Sequence, residues 1–409
     1  MTINKALRVF LPFAFGFYLS YLYRSVNAII APDLIQEIGI DAANLGLLSS
    51  AYFISFAAFQ IPLGIILDRV GPRKVEAILL LFAALGAVIF ASSDSLLNLI
   101  IGRAFIGLGV SACLMASFKS FVDWFPKERL PLSNGAIMMA GGLGALTATA
   151  PIEFVLQFTD WRGVFWILAI MTLVSAALIY SVVPERPDED RIVTDMTLRN
   201  QLSGLREVIS NREFQRYVPI SVTSQGSMLA LQSLWVGPWL RDVGGLTREE
   251  SASHLFIMAV ALATGFLSWG IIGERLGRYG VSPMKISLIG ICIFLITQII
   301  IISEPVSFIL PVLVLFGFFG TAGSLSYVGL IQNFPNYLSG RVYTTANLLV
   351  FTLAFIGQWG IGLIIDLWPQ VGKGHFSQIG YQAAFSAVLF IQIISFLWIG
   401  ISKMLWRQK

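Results

Sequence analysis

The sequence predicts an all-α integral membrane protein with twelve transmembrane helices in two pseudo-symmetric six-helix bundles. Three observations predict it: a deficit of charge, twelve apolar segments separated by mostly short polar loops, and an internal repeat at an offset of about 206 residues. Charged residues make up 12% of the 409-residue chain and hydrophobic residues 56%. A soluble domain carries roughly 25% charged residues on its surface. Mean hydropathy is +0.79, so most of this surface faces something other than water.

An apolar helix needs about 20 residues to cross the hydrocarbon core. With Gly, Pro and charge as punctuation, the first six spans fall at 7–30, 43–67, 75–93, 96–121, 131–157 and 161–183. The second six fall at 214–240, 251–273, 283–303, 307–332, 341–368 and 379–403. The long polar stretch 184–213, opening with Pro184-Glu185-Arg186-Pro187, reads as a linker with a surface helix. It separates a bundle at 1–183 from a bundle at 214–409.

Other classes are excluded on composition. Cys113 and Cys292 lie in apolar stretches, which argues against a disulfide framework or a cysteine-based metal site. His254 and His375 are too few for a histidine metal centre. The net charge of +4 is not gathered into a patch, so nucleic acid is not an expected partner. No metal or cofactor is called for, and no nucleophile–base pair or phosphate loop points to an enzyme. The first apolar segment is too long for a cleavable signal peptide and ends in Ala31-Pro32-Asp33.

Lys and Arg in the loops set the expected orientation. With the N-terminus placed inside, twenty basic residues fall on the inner side, among them Arg69, Arg73, Lys74, Arg275 and Arg278. Four fall outside: Arg162, Arg241, Arg248 and Lys373. Both termini are therefore expected in the cytoplasm of a cell with this protein in its inner membrane. Arg24, Arg103 and Lys119 belong to no loop.

A shift of 206 lays Gly64-Ile65-Ile66-Leu67-Asp68-Arg69-Val70-Gly71 on Gly270-Ile271-Ile272-Gly273-Glu274-Arg275-Leu276-Gly277, and Pro32 on Pro238. A slightly larger offset lays Phe125-Pro126 on Phe334-Pro335. The stretch 64–74 resembles the loop signature of the major facilitator superfamily, and Arg103-Ala104-Phe105-Ile106-Gly107-Leu108-Gly109 resembles its fourth-helix motif. The resemblance covers the whole chain. It implies two six-helix domains, a midplane site between them and alternating access by rocking. It further implies that Gly64, Asp68, Arg69, Gly71 and Arg73, with the degenerate copy at Glu274 and Arg275, gate the cytoplasmic side. Asp68 would bias the conformational equilibrium through a helix N-terminus or a basic partner rather than touch solute.

Ionisable groups inside spans are costly and are functional candidates by default. Arg24 lies in the outer half of span one, with Tyr21 and Asn27 on its face at i−3 and i+3. Arg103 either pairs with Glu153 in span five or meets a solute. Lys119 either reaches the membrane surface or lines a cavity. In an unbent helix, sixteen residues at about 100° each set Arg103 and Lys119 about 160° apart, so both cannot address one cavity. Glu153 reads as the one convincing intramembrane carboxyl and the candidate proton site.

Three cations against one anion point to a solute that brings negative charge, since a guanidinium fork suits carboxylate and phosphate alike. The superfamily's anion-transporting branches place an arginine in their first helix, and Arg24 looks similar to it; Tyr23 stands where the proton-coupled branch has an aspartate. In the second half Ser221, Gln225 and Gln232 share one helical face, with Trp235 beyond. Tyr327, Asn347, Gln358 and Trp359 add polar and aromatic surface, part cavity lining and part interhelical glue. The expected partners are a small organic anion, the lipid bilayer and a co-transported proton, with the protein acting as a monomer. The rival expectation is an exporter of drugs or of a secreted metabolite such as a siderophore.

Overall fold

A computed structural model describes residues 3–126, 129–184, 206–303, 308–335, 338–372 and 374–407, without the side chains of 3–5, 68, 131–132, 339–340 and 406–407. Of the linker expected to carry a surface helix, 185–205 lie outside the described residues, and 206–210 are helical with Val208 buried against the second unit's core. Everything regular among the described residues is helical. The first part of the chain forms α1 (Ile3–Ser25), α2 (Asn27–Ile38), α3 (Ala42–Val70), α4 (Pro72–Ala91), α5 (Leu96–Gly109), α6 (Cys113–Trp124), α7 (Leu130–Thr147), α8 (Ala150–Val155) and α9 (Trp161–Val182). After the linker come α10 (Arg212–Ala230), a π turn at Leu231–Trp235, α11 (Val236–Asp242), α12 (Arg248–Gly277) and α13 (Pro283–Ile302). Then follow α14 (Ile309–Gly320), a 3-10 turn at Thr321–Gly323, α15 (Ser324–Ile331), α16 (Ser339–Ile365) and α17 (Gln378–Arg407).

Helix starts are written locally. Asp160 caps α9 by accepting from Gly163 N–H, and Asn211 caps α10 through Glu213 and Phe214 N–H. Thr247 and Glu250 form a reciprocal capping box at α12.

Twelve helical crossings follow from these elements, and ten are individually long and apolar enough to span a bilayer. The other two are the fifth, divided into α7 and α8 at Ala148–Thr149, and the seventh, in which α10 is rich in Ser, Thr and Gln. The chain is a multi-pass membrane protein.

Five predicted spans are interrupted, and four of them follow the repeat. Span one breaks at Val26 between α1 and α2, and 26 plus 206 is 232, inside the π turn of span seven. Span four breaks at Val110–Ala112. The offset that carries Phe125 onto Phe334 is 209, and 112 plus 209 is 321, the first residue of the 3-10 turn in span ten. Breaks of this kind arise where a side chain or an altered register enters the i→i−4 ladder. The expected single helix for span four is thereby corrected: Arg103 lies on α5 and Lys119 on α6, and the 160° argument does not apply across the break.

The chain forms two compact units, one of 1–33 with 51–198 and one of 34–50 with 199–409. In the first unit α1 packs on α7, α6 and α9, while α4 packs on α5 and α9. Gly86 of α4 and Gly102 of α5 bring their backbones together, each close to the carbonyl of the other. Phe90 stacks on Phe165 with ring centroids 4.2 Å apart and meets Trp161 edge-on at 5.5 Å. Outward faces are apolar instead of charged. Ile78, Leu81, Phe82 and Leu85 of α4 are exposed, as are Ile167, Ile170 and Val174 of α9, at the spacing of a lipid-facing stripe.

In the second unit α10 packs on α16 and α17, α12 on α14, and α13 on α14, α15 and α17. Phe214, Met284, Leu330, Phe334, Leu338 and Val342 form one buried cluster. Residues 34–50 are counted here because the start of α3 meets α16: Ala42 and Ala43 N–H donate to the Asp366 carboxylate at 3.1 and 2.7 Å.

Candidate functional site

The first unit gathers its cations around aromatic rings. Arg24 ends α1 and is 6% exposed. Its guanidinium carbon lies 4.4 Å from the Tyr21 ring centroid, 5.8 Å from Tyr52 and 5.7 Å from Phe56. The predicted i−3 neighbour Tyr21 does face it. Cation–π contact of this kind gains strength when desolvated.

Arg103, on α5, is 1% exposed and lies 5.3 Å from the same Tyr52 ring. Two buried guanidinium groups thus lie near one phenol, whose hydroxyl donates to the Ser20 carbonyl at 3.2 Å. Tyr52 and Phe56 were not singled out from sequence. Both sit in an aromatic-rich span whose apolar period conceals which ring faces inward. Gly107 positions the pair, since any Cβ there would collide with the Tyr52 main-chain carbonyl.

Arg103 does not pair with Glu153. Its Nη1 donates to the Tyr23 carbonyl at 2.8 Å, which corrects the expected ion pair. Tyr23 itself is buried, with its hydroxyl 2.9 Å from Thr172 of α9. Asn27 begins α2 and is fully buried, while Lys119 is half-buried on α6.

Glu153, on the short helix α8, is buried. It is not the sole intramembrane carboxyl: Glu76, the fifth residue of α4, is 0% exposed. Its place two residues beyond Arg73-Lys74 reads in sequence as a wet helix start, and only packing covers it.

The loop motif divides its labour. Gly71 closes the α3–α4 turn at φ 91°, a left-handed conformation that favours glycine. Arg73 donates through Nε and Nη2 to the Tyr180 carbonyl at 2.9 and 2.5 Å, tying α4 to the carboxyl end of α9, where a cation suits the helix dipole. Gly64 and Arg69 lie in the last two turns of α3, and the Asp68 side chain lies outside the described residues.

The second copy differs. Gly277 is the last residue of α12, and the positive-φ turn belongs to Gly280 at 80°. Glu274 pairs with Arg278 one turn on at 2.5 Å, and Arg275 is exposed. A cleft of about 530 Å³ adjoins Glu274, lined also by Ser282, Leu325 and Gln332.

Within the second unit the predicted polar residues separate. Gln358 Nε2 donates to Ser233 Oγ at 3.0 Å, and the main-chain carbonyl of Gln358 accepts from Trp235 Nε1 at 2.8 Å. Gln358 therefore joins α16 to the π turn as interhelical glue. Gln225 packs on Gly323 of the 3-10 turn, and Gln232 is buried in the π turn. Tyr327 lies 5.2 Å from the Tyr343 ring, Asn347 is half-buried on α16, and Trp359 lies against Phe355 at 5.9 Å.

Comparison with known proteins places this architecture. The chain is 24% identical over 272 residues to a probable sulfoacetate transporter of Cupriavidus necator, a match covering 64% of this chain and 63% of that one. It thus spans less than two thirds of that relative's length. It is 22% identical over 408 residues to a hexuronate transporter of Bacillus subtilis, covering 92% of each. Among solved structures it resembles the inward-facing, occupied bacterial homolog of the human lysosomal transporter Spinster, with TM-score 0.78 and 15% identity over 99% of this chain and 98% of that one. It also resembles the nucleoside transporter NupG, with TM-score 0.77 and 12% identity over 98% and 99%. At such identities the likeness speaks to the fold alone. The family model described as Major Facilitator Superfamily matches residues 13–358, so the chain belongs to that superfamily.

Proposed function

We propose that the chain carries a small organic anion, a carboxylate or a phosphorylated metabolite, across the inner membrane by alternating access. The observation that carries this reading is the Arg24 guanidinium, buried against Tyr21, Tyr52 and Phe56, with Arg103 near the same Tyr52 ring. Two guanidinium groups in a poorly solvated place act with much greater strength on an anion than they would in water. The planar fork of Arg24 suits a carboxylate bidentately.

Relatives named for hexuronate and sulfoacetate, both carboxylates, support the reading. So do Gln225, Tyr327 and Asn347 of the second unit, whose amides and phenol suit a hydroxylated solute. The count of twenty basic residues against four supports cytoplasmic termini. We further assign the bundles to 1–183 and 214–409, a proton as co-transported ion, and a monomer as the working form. The loop motif around Asp68 sets the rate of reorientation, so Asp68→Asn slows transport at unchanged solute affinity.

The test is a thermal-shift and uptake screen of the purified, reconstituted protein. Its solutes are D-glucuronate, D-galacturonate, sulfoacetate, sugar phosphates and organic cations. Stabilisation and uptake are expected for anions. Arg24→Ala abolishes the uptake, and Arg24→Lys keeps a small part of it. Normal transport by Arg24→Ala overturns the anion reading. Stabilisation by several unrelated apolar compounds turns it toward an exporter.

A further inference from the structure

We propose that Glu76 is a proton-binding site, its carboxyl taking up and releasing one proton inside the first unit. Glu76 lies one turn into α4, fully buried, and among the described residues neither carboxyl oxygen has a nitrogen or oxygen donor, the thiol of Cys113 being the group that faces it. The space it occupies is made by Gly16 of α1. A Cβ built there would stand 2.5 Å from Oε1 and 3.6 Å from Ser175 Oγ of α9. The Ser175 hydroxyl is likewise buried and unpartnered. Three helices therefore converge on a bare backbone position, and the carboxyl fills it.

The groups that face Glu76 are few. From α9 comes Ser175, from α1 the backbone at Gly16, and from α6 Cys113, a thiol whose titration feels the charge of Glu76. On α4 itself, Arg73 is held at the Tyr180 carbonyl and Lys74 lies beside it near the loop. On α5, Arg103 is held at the Tyr23 carbonyl. Arg24 at the end of α1 acts on the same thiol of Cys113. An ionised carboxylate in this place would be buried with only the weak thiol donor of Cys113 facing it and no cation in contact, a cost of several kcal/mol. The neutral acid avoids most of that cost. The proton leaves only when movement lets water or a donor reach the carboxyl. Two of the facing helices adjoin breaks in their spans, α1 ending at one and α6 beginning at another, where such movement is easiest.

A second consequence rests on the anion reading given above. Arg24 and Glu76 both act on the Cys113 thiol that lies between their influences, and we infer that an anion bound beside Arg24 lowers the positive potential there and with it the preference for an ionised carboxylate at 76. Solute and proton then assist each other's binding, and the linkage is reciprocal.

The test needs no solute. Infrared spectra of the purified full chain in lipid nanodiscs are compared for wild type, Glu76→Gln and Glu76→Asp across pH, in water and in D₂O. Wild type is expected to show a protonated-carboxyl C=O band that Glu76→Gln lacks and Glu76→Asp displaces. That band moves in D₂O and fades as pH rises. A wild-type minus Glu76→Gln difference holding only carboxylate bands at neutral pH overturns the proposal. So does a carboxyl band that neither exchanges nor fades.

D-glucuronate then separates the two readings. Proton uptake on its binding, lost in Glu76→Gln at retained affinity, supports the linkage. Binding with no proton uptake refutes the linkage and leaves the anion reading standing. Absence of D-glucuronate binding counts against a hexuronate-like solute and leaves the infrared result to judge Glu76.

Discussion

Arg103 Nη1 donates to the main-chain carbonyl of Tyr23 at 2.8 Å, three residues before α1 breaks at Val26. A carbonyl at that position ordinarily serves the N–H one turn later. A charged side chain drawing on it is one of the recognised causes of a break. The same guanidinium flanks Tyr52, which flanks Arg24, so the break and the cationic cluster are one construction. Removing a hydrogen bond from a charged donor costs about 1.5–3 kcal/mol. Arg103→Ala is expected to lower the unfolding midpoint by a corresponding amount and to weaken anion binding through Tyr52. Arg103→Lys, which keeps charge without the planar fork, falls between. An unchanged midpoint for Arg103→Ala would show the bond to be dispensable.

The two copies of the loop motif should answer differently to alanine. Gly71 sits at φ 91°, and an L side chain in that region costs about 1–2 kcal/mol. Gly277 ends α12, with open space where a Cβ would go. Gly71→Ala is therefore expected to destabilise, and Gly277→Ala to be neutral or slightly stabilising. Denaturation of the two variants in one detergent decides it, and equal losses would contradict the assignment.

Asp366 carries a pH signature. Its carboxyl is held above the usual range chiefly by burial, against the lowering effect of the Ala43 and Ala42 N–H bonds and with a further rise from Asp41. The folded chain thus keeps this proton to higher pH than the unfolded chain, whose value is about 3.9. Between those two values the folded state binds more protons, so this residue's contribution to stability is lost as pH rises and regained as pH falls. Relative to Asp366→Asn, wild type should gain stability on acidification through that window and hold a constant difference above it. Unfolding midpoints measured at several pH values check the sign. Asp366→Ala, which removes the cap on α3, costs about 0.5–2 kcal/mol.

Asp242, whose side chain is 3% exposed, gathers three donors at the end of α11. They are His375 Nδ1 at 2.8 Å, Phe376 N–H at 3.1 Å and the Tyr381 hydroxyl at 2.8 Å. The segment between α16 and α17 is pinned by this carboxylate. Asp242→Ala strands a buried Tyr381 hydroxyl and a main-chain N–H, at about 1–3 kcal/mol for each buried group. Faster limited proteolysis within 367–377 is expected, with a lower midpoint. Unaltered cleavage would show that the segment is held by something else.

Twelve crossings were legible because lipid imposes helix and length together: every backbone polar group must be satisfied within its own segment. The cations were legible for a related reason, since an arginine inside an apolar run has no cheap explanation. Arg24 and Arg103 were found that way. Glu76 was not, because a carboxyl just after a basic pair looks the same in sequence whether it is wet or covered. The Arg103–Glu153 pair failed on similar grounds: matched depth on two helices does not say which way either side chain turns.

By itself, then, the sequence determined the membrane-spanning all-α class, the count of helices, the duplicated halves and the presence of interior positive charge. All of these are properties of composition and period. Tertiary structure decided which ring Arg24 and Arg103 share, which carbonyl holds Arg103, and that Glu76 is sealed against Gly16 and Ser175. Those outcomes depend on what neighbouring helices present at one depth. A bare glycine on α1 is invisible to any pattern running along α4.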